Sequence, residues 1–408
     1  MKKLEDTSQK RRALIKVPSF FSKSSEFGTQ FWLVCLITFV YFFAFNMILP
    51  RLSPYLESLG GKEYLGLVIT VFAAAALITR PFSGKLVDEI GRKPIVVFGI
   101  IVSIVISFLY SFSNGVMMFL FLRFMHGFSA GCTPTGTTAI CSDVVSKNKR
   151  GEAMGWVGLC SNIGMGLGPA VGSELSAYYG NDYVVFVVSA FSAVIALLLT
   201  FKLKESLSET STLTLKSFNI KWNEIIEKSV LPQGFIMLLT VCTFGAILTL
   251  MEDYVEVFGI KKSGYFFTVF TVVSIAVRFF SRKHSDKYGR VLMMIWGVSF
   301  LILANFFIAF ASNAPLLFFG GALFGVSTGI NSPTIFAWAV DKSNPKLVGR
   351  GVSTLFIFLE IGVMVGAFFS ALIYSHKPEN FRWAFVFTGI CAICALLFVV
   401  FEYRKERV

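Results

Sequence analysis

Twelve long runs of apolar residues, separated by short polar breaks, divide this chain, and no soluble fold accommodates that pattern. A run of ~20 mostly apolar residues is long enough to cross a bilayer as a helix. The runs fall at about 31–56, 64–84, 94–113, 116–145, 152–178, 183–203, 234–258, 264–282, 291–311, 315–340, 351–375 and 382–403. They are continuously apolar rather than alternating, which excludes a membrane barrel. Helices satisfy their own backbone in lipid, whereas open strands do not. Only 15% of the 408 residues are charged, and most of these sit in the breaks. A soluble chain is nearer a quarter charged.

The net charge of +13 follows from topology. With the amino terminus inside, the external breaks hold Arg51, Lys62, Lys261, Lys262, Lys377 and Arg382, and Arg123 lies within a span. The remaining thirty of the 37 Lys and Arg gather at the cytoplasmic breaks and tails. This is the positive-inside bias. It predicts a multi-pass protein of the cell (inner) membrane with both termini cytoplasmic, and no nucleic-acid partner. The seven cysteines lie in or near the spans, so no disulfide framework is expected. No cofactor and no metal site is expected.

One charged sentence is written twice. "RPFSGKLVDEIGRKPIVVFG", starting at Arg80, and "RFFSRKHSDKYGRVLMMIWG", starting at Arg278, match at a constant offset of 198. Arg80, Asp88, Gly91 and Arg92 thereby meet Arg278, Asp286, Gly289 and Arg290. Further along, Gly127 meets Gly325, Asp143 meets Asp341, and Gly164 meets Gly362, while Arg150-Gly151 meets Arg350-Gly351 only with a two-residue slip. The expected fold is an all-α membrane protein: twelve transmembrane helices in two pseudo-symmetric six-helix bundles. A basic cytoplasmic tail (1–30) precedes the first bundle (31–203). A linker (204–233), the second bundle (234–403) and a short tail (404–408) follow. In the linker, Trp222, Ile225, Ile226 and Val230 share a helical face opposite Lys221, Glu224 and Lys228. That face suits either a helix on the membrane surface or an ordinary linker helix. Parallel repeats of this kind are a transporter architecture with the substrate site between the halves.

"GKLVDEIGRKP" (from Gly84) resembles the loop signature between helices 2 and 3 of the major facilitator superfamily. "LRFMHGFSAG" (from Leu122) is similar to its fourth-helix motif, and "GMGLGPAVG" (from Gly164) to the fifth-helix motif of its exporters. "LPRLSPYLESLGG" (from Leu49) resembles the first-helix end of the drug and metabolite:proton antiporters, though Pro50 and Pro54 are four apart rather than three. The resemblance implies alternating access and tilts the reading toward export.

A carboxylate at a helix end is costly unless paired or set against a positive helix terminus. Asp88 is expected to meet the start of helix 11 near Gly351, and Asp286 the start of helix 5 near Gly151. Arg80 and Arg92 are expected to meet Asp143, and Arg278 and Arg290 to meet Asp341. Together these contacts form a latch closing the inner face, as the resemblance also implies. An external counterpart pairs Arg51 with Glu252 or Asp253. Inside the membrane, Arg123 needs an acceptor, and Glu174 is the expected one; His126 lies one turn deeper. Glu360, nine residues past Gly351, sits about mid-membrane and can carry a proton. The proton-coupling candidates are therefore Arg123, His126, Glu174 and Glu360. Gly164, Gly168 and Gly172, with Pro169, let helix 5 approach a neighbour closely, expected to be helix 8. The cavity is expected to draw on Tyr41, Phe45, Asn46, Asn162, Phe244, Asn331 and Trp338.

The reading is a monomeric, proton-coupled exporter of a small amphipathic compound. The alternatives are uptake of a sugar or organic anion and, from another class, a binding or sensor protein without transport. An enzyme is disfavoured, because His126, His284 and His376 are scattered and no nucleophile cluster accompanies them.

Overall fold

The computed structural model describes residues 27–407 apart from 209, 215–216, 218–221, 261–263, 282–283 and 376. Residues 1–26 of the expected tail at 1–30, and Lys221, lie outside the described residues. The helices are α1 (Thr29–Met47), α2 (Leu49–Ser58), α3 (Leu65–Glu89), α4 (Arg92–Leu109), α5 (Val116–Asp143), α6 (Arg150–Tyr179) and α7 (Asp182–Phe201). After the one-turn α8 (Trp222–Ile225) come α9 (Leu231–Glu256), α10 (Gly264–Ser281), α11 (His284–Tyr288), α12 (Arg290–Ala309), α13 (Ala314–Lys342), α14 (Val348–Tyr374) and α15 (Phe381–Arg407).

Among the described residues, ten spans are long and apolar enough to cross a membrane, α1 and α2 counting as one. The other two expected spans are helical but depart from that standard. In α10 the apolar part covers only Tyr265–Ser281. In the 30-residue α6, glycines and Asn162 dilute the hydropathy. The first span breaks at Ile48, where Pro50 enters the opening turn of α2, a position that needs no backbone N–H. Asn181 and Asn313 cap α7 and α13 by accepting from the amides of Tyr183 and Leu316. Gly91 and Gly289, at φ 130° and 91°, turn the chain into α4 and α12 through a region closed to other residues.

The packing repeats between the halves. The pairs α1–α6, α3–α5 and α4–α5 in the first half correspond to α9–α14, α10–α13 and α12–α13 in the second. Across the halves, α3 and α5 contact α14, and α6 contacts α10 and α13. The cores show where the halves join. At the basic end, Val87, Ala139 and Ile140 share one cluster with Val340, Val348 and Val352 of the other half. At the opposite end each half keeps its own: Leu52, Tyr55, Phe119 and Phe186 in one, Tyr254, Phe266, Phe381 and Phe385 in the other.

The glycine stripe of α6 corrects one expectation. It docks on α1 of its own half, not on helix 8. A Cβ on Gly164 would lie 2.6 Å from the Phe39 carbonyl, and one on Gly168 2.6 Å from that of Phe43; on Gly172 it would strike Met47. Gly362 and Gly366 repeat this against Leu238 and Cys242 of α9. The stripe thus holds each bundle together, and α6 remains helical through Pro169.

The linker also departs from a surface helix. Its described part docks on protein: the Lys85 ammonium meets Glu224 at 2.9 Å, the Glu227 amide donates to Thr354, and Val230 is buried in the second half's core.

Candidate functional site

At the basic end, each repeated aspartate grips a helix of the other half. Asp88 accepts from the amides of Gly349 and Arg350 at 2.7 and 2.8 Å. Asp286 accepts from those of Gly151 and Glu152 at 2.9 and 2.7 Å. These amides open α14 and α6, where unpaired N–H groups and the helix dipole attract an anion. The offset of 198 therefore holds here without a slip, since Gly349, not Gly351, is the partner of Gly151. Gly84 allows the approach: a Cβ there would lie 2.6 Å from that of Ser353 and 3.2 Å from the Arg350 Cα.

Arginines tie each aspartate down. Arg92, 1% exposed, donates to Asp88 at 2.6 Å and to Asp143 at 3.1 Å. Arg290 donates to Asp286 at 2.5 Å and to Asp341 at 3.0 Å. Asp341 also receives Arg150 from the other half at 3.0 Å.

Arg80 and Arg278 do not reach the aspartates expected for them. Arg80 precedes Asp88 by two helical turns, ~12 Å along the axis, too deep for Asp143. It crosses the interface instead and donates to Glu360 Oε1 from Nη2 at 2.8 Å and from Nε at 3.1 Å. Its guanidinium lies 4.1 Å from the Phe356 ring centre and also donates to Thr135 and the Gly131 carbonyl. Ser353 of α14 donates to the Arg80 carbonyl. Arg278 is buried in α10 with its Nε unpartnered and, among the described residues, makes no ion pair.

The remaining candidates fall in three places. Arg123 donates to the Val68 carbonyl at 3.1 Å and lies over the Phe72 ring. Glu174 is exposed on another face and does not answer it, because residues on α5 and α6 at similar depth need not face one another. His126 is fully buried between Ser103 and Tyr110. At the far end, Arg51 pairs with Asp182 of its own half at 2.6 Å, while Asp253 is exposed; the Glu252 side chain lies outside the described residues.

Between the halves lies a cavity of about 530 Å³. Asn162, Phe244 and Asn331 line it as expected, with Phe267, Phe270, Phe324, Ser274 and Arg278. Tyr41, Phe45, Asn46 and Trp338 do not. Tyr41 bonds Ser129 and Phe45 stacks on it; Asn46 donates to the Phe42 carbonyl; Trp338 is 2% exposed in the second half's core. They point along the right helices but into each bundle.

Two parallel six-helix units, a doubled set of aspartate contacts to helix starts and a cavity between them coincide with a sequence-family match. The family described as Major Facilitator Superfamily matches residues 34–313 and 263–408. This chain belongs to the major facilitator superfamily.

It is a multi-pass membrane transporter handling a small molecule. It is 26% identical over 382 residues to the multi-drug resistance efflux pump PmrA homolog of Lactococcus lactis, covering 89% of this chain and 92% of that protein. To PmrA of Streptococcus pneumoniae it is 27% identical over 379 residues, covering 88% and 92%. The solved structure of the human organic anion transporter MFSD10 (TETRAN) superimposes with a TM-score of 0.79 at 17% identity, covering 90% of this chain and 98% of that one. In this major facilitator chain, sequence reasoning missed Asp182 as the partner of Arg51 and Glu360 as that of Arg80, and three further partners besides. Phe356 receives Arg80. Glu205 accepts from the amides of Arg92 and Lys93 at the start of α4. Glu224 receives Lys85. Each sits on a different element from its partner, and only an acid in an otherwise polar linker hinted at the last two.

Proposed function

We propose that this transporter is a proton-driven exporter of small amphipathic compounds, acting as a monomer in the cell's inner membrane with the basic end cytoplasmic. The names of its relatives, multidrug efflux pumps matched over nearly their whole length, support export. The positive charge at one end supports the orientation.

The observation that carries the coupling is the Arg80–Glu360 pair. It lies inside the membrane, joins the two halves, and consists of one group that always stays charged and one that can take up a proton. A protonated Glu360 no longer attracts Arg80, so proton uptake loosens the contact between α3 and α14. The same two helices carry the grip of Asp88 on Gly349 and Arg350. Loading a proton from the opposite end therefore weakens the latch, opens the basic end, and releases the proton inward as substrate enters. Return to the closed state restores the pair. Asp286, Arg290 and Asp341 act as the second arm of the same latch.

The test uses inside-out vesicles carrying an acid interior. Addition of transported amphipathic compounds should dissipate the pH gradient through the wild type. Glu360→Gln should bind compound but not dissipate the gradient. Undiminished proton movement in Glu360→Gln would refute the coupling, and proton movement in the same direction as substrate would refute export in favour of uptake.

A further inference from the structure

At the offset of 198 that relates the halves, Arg80 corresponds to Arg278, Phe356 to Gly158, and Glu360 to Asn162. In the Arg80 site the guanidinium has a ring beneath it and a carboxylate beside it. In the Arg278 site a glycine stands at the position matching the ring and a neutral amide at the position matching the carboxylate. Arg278 Nη1 packs so closely on Gly158 that any side chain there would collide with it. Arg278 is 7% exposed, with its Nε unpartnered. A buried guanidinium cannot shed its charge, and leaving it uncompensated is costly.

The place where the second acid is missing is the cavity. Both Arg278 and Asn162 line it, and among the described residues no carboxylate does. Ser274 and Asn331 add polar atoms to the lining. The rest of the wall is apolar, with Phe244, Phe267, Phe270 and Phe324. An apolar chamber with one uncompensated cation selects a ligand with an apolar body and a single negative group.

We infer that Arg278 and Asn162 receive the anionic group of the substrate, a carboxylate, sulfonate or phosphate, which takes the position that the Glu360 carboxylate holds in the other half. This rests on the exporter reading and names its substrate class. The phenylalanines hold the apolar body, and the smaller residues Gly158 and Asn162, standing opposite Phe356 and Glu360 in the repeat, leave room for it.

The test compares two probes with the same aromatic body in wild-type protein in nanodiscs of zwitterionic lipid, empty discs subtracted. They are 1-anilinonaphthalene-8-sulfonate and the neutral N-phenyl-1-naphthylamine. The sulfonate should bind at least about tenfold tighter. Arg278→Gln should remove that difference while leaving the amine unaffected, and Arg278→Lys should keep most of it. Asn162→Glu, which rebuilds the missing acid, should exclude the sulfonate and admit the amine. Equal effects of Arg278→Gln on both probes would overturn the inference. So would displacement of the sulfonate by inorganic sulfate, which makes this a free-anion site, or by phosphatidylglycerol in the disc, which makes it a lipid site. Binding is read without transport, so a failure here leaves proton-driven export standing, whereas normal binding without proton movement fails only the export reading.

Discussion

Arg80 and Glu360 lie on different six-helix bundles and meet at 2.8 Å within the membrane. Neither can be removed at equal cost. Arg80→Gln leaves a carboxyl that can neutralise itself by taking up a proton. Glu360→Gln leaves a buried guanidinium that cannot. Removing one partner of a buried pair costs about 3–5 kcal/mol when the survivor stays charged. Glu360→Gln should therefore lower the melting temperature more than Arg80→Gln at neutral pH, and the double variant should recover part of the loss. Strictly additive losses would show that the two groups are not coupled.

Asp88→Asn and Asp286→Asn each weaken two charge-assisted bonds to backbone amides, every one worth roughly 1.5–3 kcal/mol. Both should open the basic end. A cysteine placed at Val348, 4% exposed in the core shared by the halves, should react with a hydrophilic maleimide several-fold faster in either background. Unchanged labelling would mean that the aspartates do not hold the end shut.

Gly84→Ala should have the same effect by a steric route. Its new methyl would meet the Ser353 Cβ at 2.6 Å and the backbone of Arg350 at 3.2 Å, and overpacking of this kind costs about 1–3 kcal/mol. Gly115→Ala, where nothing lies within 4 Å, is the control. Faster Val348→Cys labelling is expected only for Gly84→Ala.

Within α6 two glycines should behave oppositely. Gly168→Ala meets the backbone of Phe43 and Met47 at 2.6 and 3.0 Å, whereas Gly166→Ala meets nothing. Gly168→Ala should destabilise the first bundle by about 1–3 kcal/mol, seen as a lower melting temperature, while Gly166→Ala should not. Equal effects would mean that the stripe is not the α1–α6 contact.

At the far end Arg51 should couple to Asp182 and not to Asp253. The pair is partly exposed, at 29% and 15%, so exchange of the two charges should restore whatever small stability, about 0–1 kcal/mol, the single variants lose. Rescue of Arg51→Asp by Asp253→Arg instead would place the contact across the halves.

Much of this protein is written along one dimension. Apolar run lengths set the spans, charge segregation set the basic end, and the offset of 198 set the duplicated design. Even the helix starts gripped by Asp88 and Asp286 were legible to within two residues, because a carboxylate at a helix end has few places to go. The tertiary structure alone decided which deep groups meet. Two turns of helix carried Arg80 past Asp143 to Glu360. The way each bundle closes aimed the glycine stripe at α1 and turned Tyr41, Phe45, Asn46 and Trp338 inward. Periodicity tells which residues share a helix face, but not which neighbour that face meets; that depends on how each bundle closes and how the two dock. The repeat itself shows that Arg278 matches Arg80 while asparagine, not an acid, stands at 162 opposite Glu360; the structure adds that Arg278 and Asn162 line the cavity.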